Sequence, residues 1–344
     1  MSRVTLQVIA DHLGLSKFAV SRALTGKSGV SAETRQSVIA AADQLGYSAR
    51  RKRSAPARPA IEVIFHDRNV ANRELWVDVQ HGIEMEATRL GYAMVVRWTS
   101  DHAIIAQLGR TAAGYILVGP QDPEMFAAAR NHRLPAVVVN HLVPALDPMD
   151  QVTATDVEAG VYVGQYLGGL GHRRMVYAHG QRGYPGRDAR LRGFARAVEA
   201  IADAQLREIE FPDSQATEFR EAMLGLVRDG FEPTAVFCGA DGVAVTVVTE
   251  LIRMGLRVPE DVSVVGHADY PIATQVSPKL TTIHMPHRQM GIAAVRLLLS
   301  RTGALGQHND LPAQRVSLVP WLVERETTAR AATRSWRARI RRLG

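Results

Sequence analysis

Residues 4–47 read VTLQVIADHLGLSKFAVSRALTGKSGVSAETRQSVIAAADQLGY. Their apolar positions recur at the three- and four-residue spacing of helices that share one inward side. Leu6, Ile9, Ala10 and Leu13 mark a first short helix, which Gly14 is placed to stop, because glycine takes the left-handed conformation that ends a helix at little cost. Ser16 stands where an N-cap belongs and opens a second helix with Ala19, Val20, Ala23 and Leu24 inward. Ser31 opens a third, with Val38, Ile39, Ala42 and Leu45 inward and Gly46 as its end. Two short helices joined by a brief glycine-containing turn predict a helix-turn-helix, whose second helix enters a major groove. On that helix Lys17, Phe18, Ser21 and Arg22 lie off the inward face. Arginine spans guanine O6 and N7, and phenylalanine meets a thymine methyl. Ser16, Lys27 and Thr34 suit phosphates, which fix position without reading sequence. Spacing alone is met equally well by a small three-helix domain with a solvated basic face.

Charge separates this segment from the rest of the chain. There are 344 residues, 41 Lys+Arg and 34 Asp+Glu, a net of +7. Residues 1–60 carry a net of +7, residues 327–344 a net of +6 from six arginines, and the middle a net of −6. A mildly acidic body with two basic ends implies that one end meets a polyanion while the body does something else. A 46% hydrophobic and 22% charged composition is that of globular domains. No apolar run reaches the roughly 18 residues of a membrane span. The first residues lack the apolar stretch of a secretory signal, and the one cysteine, Cys238, forms no internal disulfide. Together these predict a cytoplasmic protein.

From residue 61 short β-branched runs alternate with helical patterns, as in a parallel sheet built from βαβ units. Strands are predicted at 61–65, 93–98, 115–118 and 136–140, then at 175–178, 208–211, 235–238 and 262–266. Helices are predicted at 75–90, 189–201 and 243–254. Two such sets predict two similar subdomains, with a ligand cleft at the carboxyl ends of the strands. Polar or aromatic residues at strand ends and helix starts are then candidate contacts: His66, Trp76, Asn140, Arg190, Asp241 and Asp269.

The stretch 4–47 resembles the DNA-binding headpiece of the LacI/GalR family of bacterial transcription regulators. Thr5-Leu6, Ile9-Ala10, Gly14, Ser16, Val20-Ser21-Arg22, Val30-Ser31 and Thr34-Arg35 fall where that family has them. The resemblance implies base reading by Lys17, Phe18 and Arg22, with Thr5, Ser31 and Tyr47 among the DNA contacts. It continues more weakly through GGLGHRRM (168–175), RLRGF (190–194), GLRVPEDVSVVG (255–266) and PKLTTI (278–283). That implies a periplasmic-binding-protein-like (type I) effector domain of two subdomains joined by three crossovers, which dimerises and holds a small ligand. The implied division is a headpiece at 1–47, a basic linker at 48–60, an effector domain at 61–327 and a basic tail at 328–344. Within the effector domain, 61–156 plus 284–313 would form one subdomain and 157–283 plus 314–327 the other.

The sequence departs from the family in two places. After Tyr47 the family has a hinge helix with a leucine, whereas residues 48–59 read SARRKRSAPARP, with no leucine and with Pro56 at its place. Proline removes a helix hydrogen bond, so minor-groove wedging is not expected, while Arg50, Arg51 and Arg53 can track phosphates. In the cleft the family's Asp-Asp pair becomes Ala268-Asp269, its Asn before Asp241 becomes Ala240, and Arg73 is expected to enter near Arg190. Losing an acid and gaining a base favours an anion. The segment 266–281 also resembles the gluconate-repressor branch, which implies a sugar acid rather than a neutral sugar.

No Gly-x-Ser-x-Gly elbow, His-Glu-x-x-His or P-loop occurs, and the glycines of 180–186 (GQRGYPG) lack dinucleotide-fingerprint spacing. Neither a catalytic group, a cofactor nor a metal is therefore expected. The function expected is a homodimeric, operator-binding regulator, a repressor of palindromic DNA controlled by a small sugar or sugar acid. The competing classes are a ligand-independent architectural DNA binder and a cleft enzyme carrying a DNA tether. Trp336, Ile340 and Leu343 lie at helical spacing among the tail arginines, a segment too short for a coiled coil and expected to fray in solvent.

Overall fold

Helices of eight residues do not persist alone in water, so the stripes of residues 6–45 must bury themselves against one another. The computed structural model describes residues 5–24, 29–45, 58–66, 73–108, 112–180, 184–212, 216–305, 311–333, 335–337 and 340. The chain forms two units, Met1–Ala57 and Arg58–Gly344.

In the first unit, α1 (Leu6–Leu13) ends at Gly14, whose φ of 62° is left-handed. α2 (Lys17–Leu24) begins at Ser16, whose Oγ accepts from the Ala19 N–H at 3.1 Å. α3 (Ala32–Gln44) begins after Ser31, whose Oγ accepts from the Thr34 N–H at 3.1 Å. Ile9, Ala10, Val20, Ala23, Val38, Ala41 and Ala42 form the buried centre, with Leu6, Leu13, Leu24 and Leu45 around it. Ile39 does not point inward as expected; it is 45% exposed. The inward stripe runs 38, 41, 42, 45, and residue 39 lies about 100° round the helix from it. Gly46, Tyr47, Lys27, Pro56 and the arginines Arg50, Arg51 and Arg53 lie outside the described residues.

The second unit holds two sheets. The first contains β1 (Ala60–Phe65), β2 (Ala93–Trp98), β3 (Ala112–Val118), β4 (Ala136–Val139) and β5 (Asp150–Ala154). These run parallel in the order β5-β4-β3-β1-β2. α4 (Arg73–Arg89) follows β1, and α5 (Pro123–Arg130) follows β3. The chain then crosses through α6 (Asp156–Gly169) into β6 (Arg174–His179), α7 (Pro185–Glu199), β7 (Gln205–Glu210), α8 (Ala216–Arg228), β8 (Ala235–Cys238), α9 (Asp241–Arg253), β9 (Ser263–Ala268), α10 (Ile272–Gln275) and β10 (Thr281–His284). It returns in α11 (His287–Ser300) and β11 (Arg315–Leu318), then crosses again to β12 (Trp321–Val323). β11 pairs parallel with β5, whereas β12 pairs antiparallel with β10, giving a second sheet ordered β12-β10-β9-β8-β6-β7. The three expected crossings are present. The expected boundary at 313/314 is displaced, because 315–318 completes the first sheet and the last crossing comes after Leu318.

The same packing device serves both subdomains. In the first, α4 meets α11 at Gly82 and Gly291; a Cβ at Gly82 would lie 2.0 Å from the Arg288 carbonyl oxygen. In the second, α6 meets α7 at Gly160 and Gly193, where a Cβ would lie 2.1 and 2.0 Å from the Arg190 and Val157 carbonyl oxygens. Backbones at that separation admit only glycine.

Among the described residues, the segment after β12 is packed against the body rather than frayed. The Thr327 carbonyl accepts from Val264 N–H at 2.7 Å, Ala329 N–H donates to Ser263 Oγ at 3.0 Å, and Ala331 N–H donates to the Leu170 carbonyl at 2.9 Å. Trp336 is 1% exposed, packed with Phe231, Phe219 and Val262, and its Nε1 donates to the Pro233 carbonyl at 3.1 Å. The arginines hid an apolar anchor that closes the second core. Trp336→Ala is expected to cost ~3–5 kcal/mol, read as a lower Tm by calorimetry; an unchanged Tm would show the anchor to be dispensable.

Candidate DNA-contact helix and effector cleft

On α2 the residues that the periodicity leaves outward are outward. Phe18 is 68% exposed, and the Arg22 guanidinium lies 5.3 Å from the Phe18 ring centroid. This cation–π contact sets an apolar surface beside a guanidinium on one helical face. Lys17 is exposed and Ser21 half-buried. Thr5, Ser16 and Ser31 each accept an N–H of their own helix, and Thr34 Oγ1 lies 2.7 Å from Ser31 Oγ. A capping hydroxyl keeps its O–H, so Thr5 and Ser16 retain a donor for phosphate.

In the body the candidate ligand residues do not form one open set. Arg190, on α7, is buried; its Nη1 donates to Asp156 Oδ1 at 2.5 Å and its Nη2 to the Gly239 carbonyl at 3.0 Å. The open fork expected for a carboxylate is thus engaged within the protein. Burial opposes the cation, but the Asp156 carboxylate and Tyr177 hydroxyl more than offset it, so Arg190 is held above the ordinary arginine value. Asp156, at the first position of α6, is pushed above the usual carboxylate value by burial despite Arg190. Arg190 Nε has no partner among the described residues.

Asp241 and Asp269 are also committed. Asp241 is fully buried; Oδ1 accepts from Thr282 Oγ1 at 2.6 Å and Oδ2 from Tyr270 N–H at 2.7 Å. Burial pushes its carboxyl up to about 6. It ties the start of α9 to the backbone just past β9 and to the start of β10 rather than offering oxygens to a ligand. Asp269 accepts from Arg325 Nη2 at 2.6 Å and pairs with His284 Nδ1 at 2.8 Å. Two consecutive residues, Ala268 (φ 114°) and Asp269 (φ 59°), are left-handed, strain of the kind that collects at functional sites. His66, just past β1, pairs with Asp122 Oδ2 at 3.0 Å. Asn140, just past β4, has φ 53°. Trp76, on α4, lies against Gly119, where a Cβ would stand 2.3 Å from the ring, and its Nε1 has no partner among the described residues. Arg73 opens α4, with its side chain outside the described set.

Sequence reasoning missed the histidines around Arg190. His267, on β9, is fully buried with its Nε2 unpartnered and 3.6 Å from Asp156 Oδ1. Burial first, then Arg190, holds it well below the ordinary histidine value. His287, opening α11, is lowered to about 3 by burial and stacks on Tyr270, with centroids 6.2 Å apart and planes at 11°. The signal was present: His267 directly precedes the altered Ala268-Asp269 pair. Around Arg190 the carboxylates are therefore engaged internally, and the neighbouring histidines are neutral. Two of the unpartnered buried atoms, Trp76 Nε1 and Arg190 Nε, act only as donors. Thr155 Oγ1 and His267 Nε2 are unpartnered as well, and a hydroxyl or a neutral imidazole can also accept. Among the described residues no group of three or more His, Cys, Asp or Glu could hold a metal, and no helix is long and apolar enough to cross a membrane.

Buried neutral histidines make stability depend on pH. His172, bridging Thr234 Oγ1 and the Ala329 carbonyl, is lowered to about 4 by burial, and His287 to about 3. A histidine whose folded value is depressed favours the folded state above its unfolded value near 6.5 and loses that contribution as pH falls toward 4 and 3. Asp241, raised to about 6, works in the opposite sense: its penalty is relieved as pH falls from 6 toward 3.8. Histidines outnumber it, so Tm is expected to fall between pH 7.5 and 5 and to fall less in His172→Gln. A Tm that rises on acidification would reverse this assignment.

Residues 5–49 match the family model described as bacterial regulatory proteins, lacI family, and residues 165–328 match that of a periplasmic binding protein-like domain. The chain is 29% identical over 349 residues to the HTH-type transcriptional repressor PurR of Yersinia pestis bv. Antiqua (strain Antiqua), covering 97% of this chain and 99% of that protein. Its fold matches a transcriptional regulator CelR–cellobiose complex at TM-score 0.65 and 25% identity, over 94% of this chain and 100% of that one. It matches the Lac repressor dimer bound to operator and the anti-inducer ONPF at TM-score 0.65 and 26% identity, over 95% and 100%.

Proposed function

We propose, for a chain that belongs to the lacI family of bacterial regulatory proteins, that it is a homodimeric repressor whose grip on a palindromic operator is set by a sugar acid held between its two α/β subdomains. The observation that carries the ligand class is the balance of donors and acceptors in the cleft. The carboxylates Asp156, Asp241 and Asp269 are all occupied by protein partners, whereas the donors Trp76 Nε1–H and Arg190 Nε–H, and beside them Thr155 Oγ1 and His267 Nε2, are not. A neutral sugar needs acceptors for its hydroxyl hydrogens; a carboxylate-bearing one brings acceptors to meet donors. The CelR complex holds cellobiose, which favours a carbohydrate frame. Closure on the ligand would shift the population between two subdomain arrangements and so alter the spacing of the paired headpieces. Such a protein would act in the bacterial cytoplasm, at the nucleoid. The cleft-enzyme alternative falls away, since the relatives are transcriptional repressors along their whole length.

The test is a thermal-shift panel of gluconate, glucuronate, glucose, ribose and cellobiose, each repeated with operator DNA recovered by in vitro selection. A shift with an acid and a change in operator affinity support the reading. A shift with neutral sugars alone overturns the acid. No shift with any of them favours the ligand-independent architectural binder.

A further inference from the structure

The segment after β12 runs across one end of the second sheet. Ala331 N–H donates to the Leu170 carbonyl ahead of β6, Trp336 Nε1 donates to the Pro233 carbonyl ahead of β8, and Ile340 packs on the core that Trp336 closes. These strands begin at Arg174 and Ala235. The segment therefore lies at the amino ends of the strands, opposite the carboxyl ends where small ligands bind in such sheets. Residues 328–344 hold six arginines, no lysine and no acid, against a net of −6 over residues 61–326. A basic run with no anchor is a solvated tail; this one is pinned by an indole that is 1% exposed.

Other arginines join it on the same end. Arg330 and Arg337, on either side of Trp336, are exposed. Arg174 and Val176 are two apart on β6 and so share one face of the sheet, the face on which Val176 packs in the same core as Trp336. Arg207 stands opposite Val176 in the register of β6 with β7 and lies over the Phe231 ring of that core, 5.1 Å from its centroid. Arg174 and Arg207 are both exposed. Arg334, Arg339, Arg341 and Arg342 lie outside the described residues, each within two positions of Ser335 or Ile340. The acids of the adjoining loops are Asp203, Asp229, Glu232, Glu260 and Asp261. Of these, Glu232 accepts from Ser335 Oγ at 2.7 Å, and Asp261 pairs with Arg257 at 2.9 Å.

We propose that this arginine-rich end of the second subdomain is a further nucleic-acid contact, separate from α2, that grips the phosphate backbone of duplex DNA without reading its sequence. A guanidinium matches phosphate oxygens in pairs and gives up its hydration more readily than an ammonium, and the segment uses arginine alone. Contacts of this kind hold a duplex and carry no base information. The inference rests on the operator-binding reading only for its choice of polyanion; it does not depend on the cleft effector.

The test saturates the full chain with a selected operator trimmed to its half-sites, then adds a labelled random-sequence duplex and follows its anisotropy across a salt series. The labelled duplex is expected to join the operator-bound chain. A variant combining Arg330→Gln, Arg334→Gln, Arg337→Gln and Arg339→Gln should bind it at least tenfold more weakly, with a salt slope smaller by about 3 to 4, at unchanged Tm and operator affinity. The corresponding four Arg→Lys changes should keep most of the slope, which separates lost charge from a disturbed fold. Absence of the ternary complex overturns the proposal, as does equal binding by the glutamine variant. Capture of poly-L-glutamate in place of the duplex also overturns it, in favour of an acidic protein partner. If the trimmed operator itself does not bind, the headpiece reading fails, and the same comparison of variants with the labelled duplex alone decides this one.

Discussion

Arg22→Ala is expected to weaken operator binding by ~1–3 kcal/mol and to relax preference at one base pair while leaving the remaining positions intact. The structure sharpens the reason. Arg22 lies over the exposed Phe18 ring, so its guanidinium is pre-oriented on the outward face of α2 rather than sampling many rotamers. A Cβ at Gly29 would lie 3.2 Å from Arg22 Nη2, which places the turn before α3 beside the same group. Removing a base-reading arginine changes a binding-site profile. Removing a phosphate contact lowers affinity evenly across sequences and reduces the salt slope. In vitro selection with both proteins separates the two, and an unchanged profile would assign Arg22 to the backbone.

The second large effect lies at Arg190. Arg190→Met is expected to cost ~3–5 kcal/mol of stability, because it strands the Asp156 carboxylate without its cation. Asp156 is already pushed upward by burial, and without Arg190 it would rise further. A carboxyl whose folded value is raised destabilises the folded state when ionised, so the variant's deficit should shrink as pH falls through that value. Adding Asp156→Asn should recover stability, since the uncompensated charge goes with it, but should not recover any response to gluconate. Urea melts at pH 7.5 and 5.5 check the first part, and the thermal-shift panel the second. A double variant that responds to gluconate would remove Arg190 from the proposed ligand site.

The headpiece was nearly complete in the sequence. Its helices are short and local, and a 3.6-residue period together with Ser16, Ser31 and Gly14 fixes where they start and stop. The one misplaced side chain, Ile39, shows the resolution of that signal: hydrophobicity marks a residue as apolar, and only its angle on the helix decides whether it turns inward. The β-branched runs likewise located eight strands within a few residues. β5 (DQVTA), β10 (TTIH), β11 (RVSL) and β12 (WLV) were not separately predicted. The first three are short and partly polar, and the last is a three-residue strand at the sheet edge.

The sites were less legible. Arg190, Asp241 and Asp269 were chosen as polar residues at strand and helix ends; Asp241 opens α9 and Asp269 follows β9, but α7 begins at Pro185, which places Arg190 more than a turn inside the helix. Their partners are Asp156, Thr282 and Arg325, which lie 34, 41 and 56 residues away in the chain. No period of 2 or 3.6 encodes a pairing at such a distance. The tail makes the same point, for six arginines outweigh one tryptophan in composition, yet Trp336 decides where the segment goes. Local patterns thus determined the helix-turn-helix, the outward face of α2 and the alternation of strands and helices, because each depends on neighbours within a turn. Only the tertiary structure decided which charges neutralise one another, which donors are left open and which sheet β11 joins. Those outcomes depend on groups brought together by packing, and burial then sets the cost of leaving any of them unpaired.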